Sequence, residues 1–227
     1  LKTRHILMIA IGSAIGTGLF FGVGKSIKLA GPSILLSYIL GGIIMFIVIR
    51  ALSEMTVHEP NVGSFSYYAH RYVNNYLGFI AGWNYWFNYI IVCMLELTAT
   101  TMLLDYWIPN HFHWLIILGI IIFFGIINLL NVRSFGEFEF WFAGIKVFTI
   151  MALILFGFYI IFFHHEATSP FTNIHNLWKY GGFFANGLNG FLSSFVVVVF
   201  SFGGTELVGI AAGETKNPTK AIPIAVN

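Results

Sequence analysis

Six apolar stretches follow one another along the chain, at residues 6–23, 34–57, 79–106, 115–130, 140–163 and 191–212. A helix needs roughly 20 apolar residues to cross the hydrocarbon core of a bilayer, and lipid-facing backbone is tolerated there only in helices and closed barrels. Runs of this length, repeated with short connectors, predict an all-α polytopic membrane protein. A single transmembrane domain over residues 1–227 then leaves little room for a soluble one. Composition agrees, because 9% charged and 58% hydrophobic residues, with a mean hydropathy of +0.84, stand far from the roughly 25% charge of soluble domains. The first stretch does not read as a cleaved signal. It runs long, lacks an obvious small-residue cleavage site and is followed at once by further spans.

Charges in the connectors predict orientation. Lys2, Arg4, Arg50, Arg71, Arg133, Lys216 and Lys220 fall on one side, and Lys25, Lys28 and Lys179 on the other. The excess places the N-terminus in the cytoplasm. The net charge of +2 is then a topology signal and gives no reason to expect a nucleic-acid partner. One cysteine, Cys93, excludes an intramolecular disulfide or a thiolate cluster within this chain.

Residues 61–76, polar and aromatic after Pro60, suit a short helix or loop at the cytoplasmic interface, where tyrosine is favoured. A plain solvated connector fits the same pattern. Residues 108–114 are expected to form a tight external turn with Pro109, His111 and His113, and 164–190 is expected to be the longest loop, with His164 beside His165. Paired histidines invite a zinc reading, but no third ligand stands at a suitable spacing, so no metal site is expected.

A charge at bilayer depth costs roughly 2.5–3.5 kcal/mol on insertion scales and needs a reason. Arg50 and Glu54 are spaced to pair along one helix near its inner end. Glu96, Lys146 and Glu206 lie deeper. Two placements fit Lys146: it snorkels to the cytoplasmic face, or it turns inward beside Gly144, where it could exchange protons.

Five glycines fall within "IGSAIGTGLFFGVG", residues 11–24, although each weakens a helix interior by about 1 kcal/mol relative to alanine. Gly12 with Gly16, or Gly18 with Gly22, could let two helices pack closely. A second cluster, "FSFGGTELVGIAAGE" at 200–214, sets Gly203 beside Gly204 in mid-span. Paired interruptions in corresponding segments point to a transporter site, since freed backbone is tolerated only against protein or a wet cavity. They fall in the first and sixth spans, as expected if five spans form one repeat and the sixth opens the next. Amides at the start of the half-helix near Gly16, with the Thr17 hydroxyl, suit an anionic group. Carbonyls near Ala14 and at 200–203 suit an ammonium. Together they suit a zwitterion, so amino acids are the expected substrate class.

The segments "LKTRHILMIAIGSAIGTGLF", "AGPSILLSYILGG", "NVGSFSYYAHRYV", "NVRSFGEFEFWFAGIKV" and "FSFGGTELVGIAAGETKNPTKAIPIAVN" resemble, in order and over nearly the whole chain, the bacterial amino acid permeases of the amino acid, polyamine and organocation superfamily. The resemblance implies a five-plus-five inverted-repeat transporter fold, usually within twelve spans. It also implies alternating access in the bacterial inner membrane, commonly with proton symport. The chain is expected to be the N-terminal part of such a permease, holding the first repeat and the sixth helix, with helices 1 and 6 broken. By resemblance, Gly16, Thr17 and Gly18 cradle the substrate carboxylate and the Ala14 carbonyl lies near its ammonium. Phe200 covers the substrate, while Ser201 and Gly203 offer backbone to the ammonium. Glu206 is linked to gating, and Lys146 stands where sodium-coupled cousins bind a cation. Glu96 matches an acidic position that tunes the pocket or joins a proton path; a neutral Glu96 bonded to Thr98 or a neighbouring helix fits as well.

Other classes fit less. A channel would need a repeated filter sequence or a symmetric assembly. An enzyme would need a nucleophile, base and orienting acid brought together, and none share a span. Gly16-Thr17-Gly18 lacks the preceding strand of a nucleotide site. The expected partners are an amino acid and membrane lipid, with a proton as coupling ion and no cofactor. Small apolar walls favour a neutral side chain; a cationic substrate paired with Glu96 or Glu206, or an exchanger, are the alternatives.

Overall fold

The computed structural model describes residues 1–61, 63–108, 112–163, 175–213, 215 and 217–226, with no strand among the described residues. The helices are α1 (Thr3–Ser13), α2 (Thr17–Phe20), α3 (Gly22–Ala30), α4 (Ile34–His58), α5 (Ser64–Tyr72), α6 (Asn75–Leu104), α7 (His113–Leu129), α8 (Val132–Phe163), α9 (Asn176–Lys179), α10 (Gly187–Ser201), α11 (Leu207–Ala212) and α12 (Pro218–Val226). Three helical segments, Gly22–His58, Asn75–Leu104 and Ser134–Phe163, are long and apolar enough to cross a membrane. His113–Leu129 and Gly187–Ser201 are shorter apolar helices. Large side chains such as Ile47, Trp86, Phe148 and Leu155 are more than half exposed. Apolar faces in this number identify a helical, multi-pass membrane protein.

Hydropathy ends the first stretch at residue 23, yet helix continues to Ala30. Lys25 and Lys28 point outward there while Ser26 and Ala30 are buried, so the charges do not interrupt the fold. Gly31 then turns the chain at φ +63°, a conformation open to glycine, with Pro32 starting the single 3₁₀ turn that leads into α4.

Two sets of residues each form a compact unit. One contains Leu1–Leu7, Ala51–Glu139 and Val208–Asn227, and the other Met8–Arg50 and Phe140–Leu207. In the first, α5 packs on the start of α6. A Cβ at Gly78 would stand 2.5 Å from His70 Cβ and 2.8 Å from its Cα, so only glycine admits this approach. Ser66 Oγ donates to the Gly78 carbonyl at 2.9 Å, and Asn74 caps α6 by accepting from the Leu77 amide at 2.7 Å. The region read as a short helix or loop contains a short helix, α5, with a defined latch. Tyr67 and Tyr72 donate to the two carboxylate oxygens of Glu59 at 2.6 and 3.2 Å, and Tyr68 donates to its carbonyl at 2.8 Å. The Tyr67 hydroxyl, with help from Tyr72 and the nearby Arg71 and His58 charges, holds the Glu59 carboxyl below its ordinary range. At the other end of this unit Glu137 accepts from Arg4 and lies 3.2 Å from the buried His5 Nε2.

In the second unit Ala30, Ile34 and Val198 form a small core against which Val23, Tyr38 and Phe202 pack. Small residues bring α10 close to α3: a Cβ at Gly22 would stand 2.8 Å from Val197 Cγ1, and Gly190 lies directly against the Leu29 carbonyl. Ser37 and Ser194, both fully buried, satisfy each other at 3.0 Å. The Asn186 side chain donates to the Lys28 and Leu29 carbonyls, each at 2.9 Å, and so closes the C-terminal end of α3.

Among the described residues no group of three histidine, cysteine or acidic side chains is placed to hold a metal ion. His111, His164 and His165 lie outside the described residues, as do Pro109, Glu214 and Lys216. His113 Nε2 stands 3.1 Å from the Ile108 carbonyl and 3.4 Å from Asp105 Oδ1.

Candidate functional site

Both interruptions seen in the sequence are present, and both belong to the unit of residues 8–50 and 140–207. In the first, α1 ends at Ser13 and the chain passes through Ala14 and Ile15 to Gly16, which is extended at φ −124°, ψ −167°. Helix resumes at Thr17, with Leu19 and Phe20 amides donating to the Gly16 carbonyl at 3.1 and 3.2 Å. The amides of residues 16–18 therefore lead a helix start, where the first N–H groups have no partner within the helix. This half-helix is less regular than expected: α2 spans four residues before a turn at Phe21. The backbone there stays right-handed helical and its amide still donates to the Thr17 carbonyl, so the direction is kept.

In the second interruption α10 ends at Ser201, and five residues pass before α11. The Phe202 and Gly203 amides make short bonds back to Val199 and Phe200 at 3.1 and 3.0 Å. Gly204 sits at φ +99°, where a side chain would be strained. Its amide donates to Glu206 Oε2 at 2.9 Å. Glu206 is thus turned back onto the break, while Thr205 Oγ1 donates to the Phe202 carbonyl at 2.9 Å.

The two breaks abut. A Cβ on Gly204 would stand 2.8 Å from the Ser13 carbonyl oxygen, and one on Gly18 would stand 2.7 Å from Ser201 Cα. Gly12 presses on Ala143 of α8. Gly16 differs from all of these, with nothing within 4 Å of the space a Cβ would take. The glycines of the first cluster therefore have separate tasks: Gly12 and Gly18 admit a neighbouring helix, and Gly16 borders open space.

Lys146 does not extend toward an aqueous face. Its Nζ donates to the Gly12 carbonyl at 3.1 Å, in the last turn of α1 before the break. Phe200 is 40% exposed beside the second break, and Gly203 is exposed. Ser201 is buried, with its hydroxyl donating to the Val197 carbonyl at 3.0 Å. Ala14 is half-buried within the first break. These residues stand together in one unit. Glu96 belongs to the other, on α6, where it is exposed and its carbonyl accepts from Thr100 Oγ1 at 2.8 Å. The Thr98 hydroxyl donates to the Met94 carbonyl at 2.7 Å, so its proton does not serve Glu96.

Sequence reasoning gave no part to Tyr38, Gly41, Gly42 or Phe202, which pack at the second break. The signal was a second mid-span glycine pair, in "YILGG". What the cluster offers is helix-start amides, break carbonyls, one amine, one carboxylate and an aromatic ring. Groups of these kinds are complementary to a small zwitterion.

Comparison with known proteins accords with this. The amino acid permease family matches residues 5–227. Over its full 227 residues the chain is 49% identical to the uncharacterized transporter YdgF of Bacillus subtilis (strain 168), covering 50% of that protein. It is 46% identical to the aromatic amino acid transport protein AroP of Salmonella typhimurium (strain LT2) and of Escherichia coli O6:H1, covering 49% of each. The chain thus spans about half the length of the curated relatives it matches, and these relatives are transporters, not enzymes. No solved structure matches it. With a family match running from residue 5 to residue 227, the chain belongs to the amino acid permeases.

Proposed function

We propose that the complete protein carries a neutral amino acid across the bacterial inner membrane by alternating access, with a proton as coupling ion and the N-terminus in the cytoplasm. The observation that carries this reading is the meeting of the two helix breaks, Gly204 against Ser13 and Gly18 against Ser201, with the Lys146 amine on the Gly12 carbonyl. The amides of Gly16, Thr17 and Gly18 receive the substrate carboxylate in the open space beside Gly16. The Ala14 carbonyl and the backbone of Ser201 and Gly203 take its ammonium, and Phe200 covers it. Lys146 links the proton to the first break, and Glu206, holding the Gly204 amide, sets the second. Glu96 takes part from α6, tuning the side-chain pocket or joining the proton path. The five-plus-five inverted repeat is the architecture in which these breaks would be symmetry-related.

A neutral side chain is supported by the apolar surroundings of the breaks and by Glu206 being engaged by the backbone. The name of AroP puts aromatic amino acids first among candidates. Uptake of a labelled amino acid panel into proteoliposomes containing the complete protein, with and without an inward proton gradient and without sodium, tests the proposal. Gradient-driven uptake of neutral, and first of all aromatic, amino acids is expected. Uptake indifferent to the gradient would remove the proton from the reading, and uptake of cationic amino acids alone would overturn the neutral pocket.

A further inference from the structure

The second break rests on a seat that the permease reading does not use. Phe202, the first residue past α10, lays its ring on two consecutive glycines of α4. A Cβ at Gly41 would stand 3.2 Å from Phe202 Cε2 and 3.2 Å from Val198 Cγ1; one at Gly42 would stand 3.6 Å from Phe202 Cζ. Tyr38 closes the third side. Its ring meets that of Phe202 edge-on, with centroids 6.1 Å apart and planes at 64°. Its hydroxyl lies 3.4 Å from Ser201 Oγ, and because Ser201 donates its own proton to the Val197 carbonyl, Tyr38 is the donor.

Positions 38, 41 and 42 share one helix face. Neither glycine has a positive φ, so no turn requires them, and each weakens α4 by about 1 kcal/mol against alanine. What they supply is a recess the width of a ring. Between Ser201 and Leu207 the backbone is held by short three-residue bonds and by local side-chain bonds of Thr205 and Glu206. Gly204 of this loop meets the Ser13 carbonyl of α1, and the Phe202 ring ties the loop to α4.

We infer that Tyr38, Gly41 and Gly42 are positioning residues for the substrate site. By fixing the Phe202 ring they fix the rotation of the peptide units at 200–204, and with it the direction in which Ser201 and Gly203 offer backbone and Phe200 offers its ring. The inference rests on the proposed permease reading of those three residues.

The test is uptake kinetics of the complete permease. In Gly41→Ala the added methyl crowds both Phe202 and Val198, and in Gly41→Val the larger side chain fills the recess. The KM for the transported amino acid is expected to rise about threefold for alanine and tenfold or more for valine, with the maximal rate per protein molecule nearly unchanged. Phe202→Leu alone also raises KM, whereas Gly41→Val with Phe202→Leu brings it back toward wild type, because the smaller side chain vacates the recess. A purely structural role would lower the amount of protein and leave KM where it was. An unmoved KM in Gly41→Val, or a double variant whose effect is the product of the single ones, overturns the inference. Should Gly41→Val fail to reach the membrane, Phe202→Leu decides, and an unchanged KM overturns it. If the wild-type protein takes up no amino acid, the permease reading itself fails. The seat is then judged by thiol labelling of Gly203→Cys in an otherwise cysteine-free background: a rate altered by Gly41→Val sustains it, and an unaltered rate overturns it.

Discussion

Gly16 and Gly18 stand two residues apart at the first break, and substituting each by alanine should have opposite consequences. At Gly18 the new Cβ would stand 2.7 Å from Ser201 Cα, 2.8 Å from its Oγ and 3.0 Å from its amide nitrogen. Two of these are backbone atoms of another helix, so no side-chain rotation relieves them. To reach ordinary contact the α2 and α10 backbones must part by about 0.7 Å, an overpacking of about 1–3 kcal/mol. Alanine returns up to about 1 kcal/mol through its helix propensity, leaving a net loss of about 0–2 kcal/mol, centred near about 1 kcal/mol. At Gly16 nothing lies within 4 Å, and φ −124° is open to any residue, so Gly16→Ala should change stability by less than about 0.5 kcal/mol. The assay is a thermal melt of the complete protein in detergent, paired with uptake KM. Gly18→Ala should melt lower by about 1–2 °C. Gly16→Ala should melt like wild type while its KM rises, because the methyl enters the space assigned to the substrate carboxylate. A wild-type melt for Gly18→Ala would refute the packing argument, and an unmoved KM for Gly16→Ala would remove the substrate from that space.

Lys146→Met keeps the apolar stem and removes the donor on the Gly12 carbonyl, an interaction worth about 1.5–3 kcal/mol when the donor is charged. Gradient-driven accumulation in proteoliposomes should be lost while exchange of substrate across the membrane persists; unchanged pH dependence would refute the coupling role. Because the folded Glu59 carboxyl titrates below its ordinary value near 4.5, the latch on α5 contributes fully above about that pH and is lost as pH falls through the lower folded value. Hydrogen exchange of the 64–72 amides, corrected for the intrinsic effect of pH, should rise on acidification in wild type, and Glu59→Gln should abolish that dependence. Asn186→Asp should lower the melting temperature more than Asn186→Ala, since a carboxylate has no donor for the Lys28 and Leu29 carbonyls; equal melts would show that the amide protons contribute nothing.

Hydropathy located α4 closely, 34–57 against Ile34–His58, because apolar character and helix end together there. It missed the first turns of α8, which begins at Val132 and not at 140. Glu137 and Glu139 lower the hydropathy of that stretch, but Glu137 is satisfied by Arg4 and His5, 133 and 132 residues away, a pairing no local window can register. The breaks were legible, since glycines clustered in mid-span weaken a helix at several adjacent positions at once. Their division of labour was not. Whether a glycine admits a neighbour or borders a cavity depends on what stands opposite, and Ser201 opposite Gly18 is 183 residues distant. The direction of Lys146 was illegible for the same reason, because snorkelling and an inward bond differ only in the partner. Gly41 and Gly42 carried a signal that went unread. This glycine pair lies inside an unbroken helix and receives the Phe202 ring.

The packing and binding roles of the glycines depend on each other here. A broken helix at bilayer depth frees backbone groups that cost several kcal/mol each if lipid reaches them. They are tolerable only where protein covers them or a wet cavity solvates them. Gly204 lets the second break lie on the Ser13 carbonyl, Gly18 lets α2 lie on Ser201, and Gly12 lets α1 lie on Ala143 beside the Lys146 amine. With those contacts closed, Gly16 is the glycine of the first break that still borders open space. A ligand entering there would meet the backbone at the start of α2. Removing a packing glycine therefore endangers the protein's existence in the membrane before it touches affinity. Filling the open one leaves the fold intact and changes what can bind.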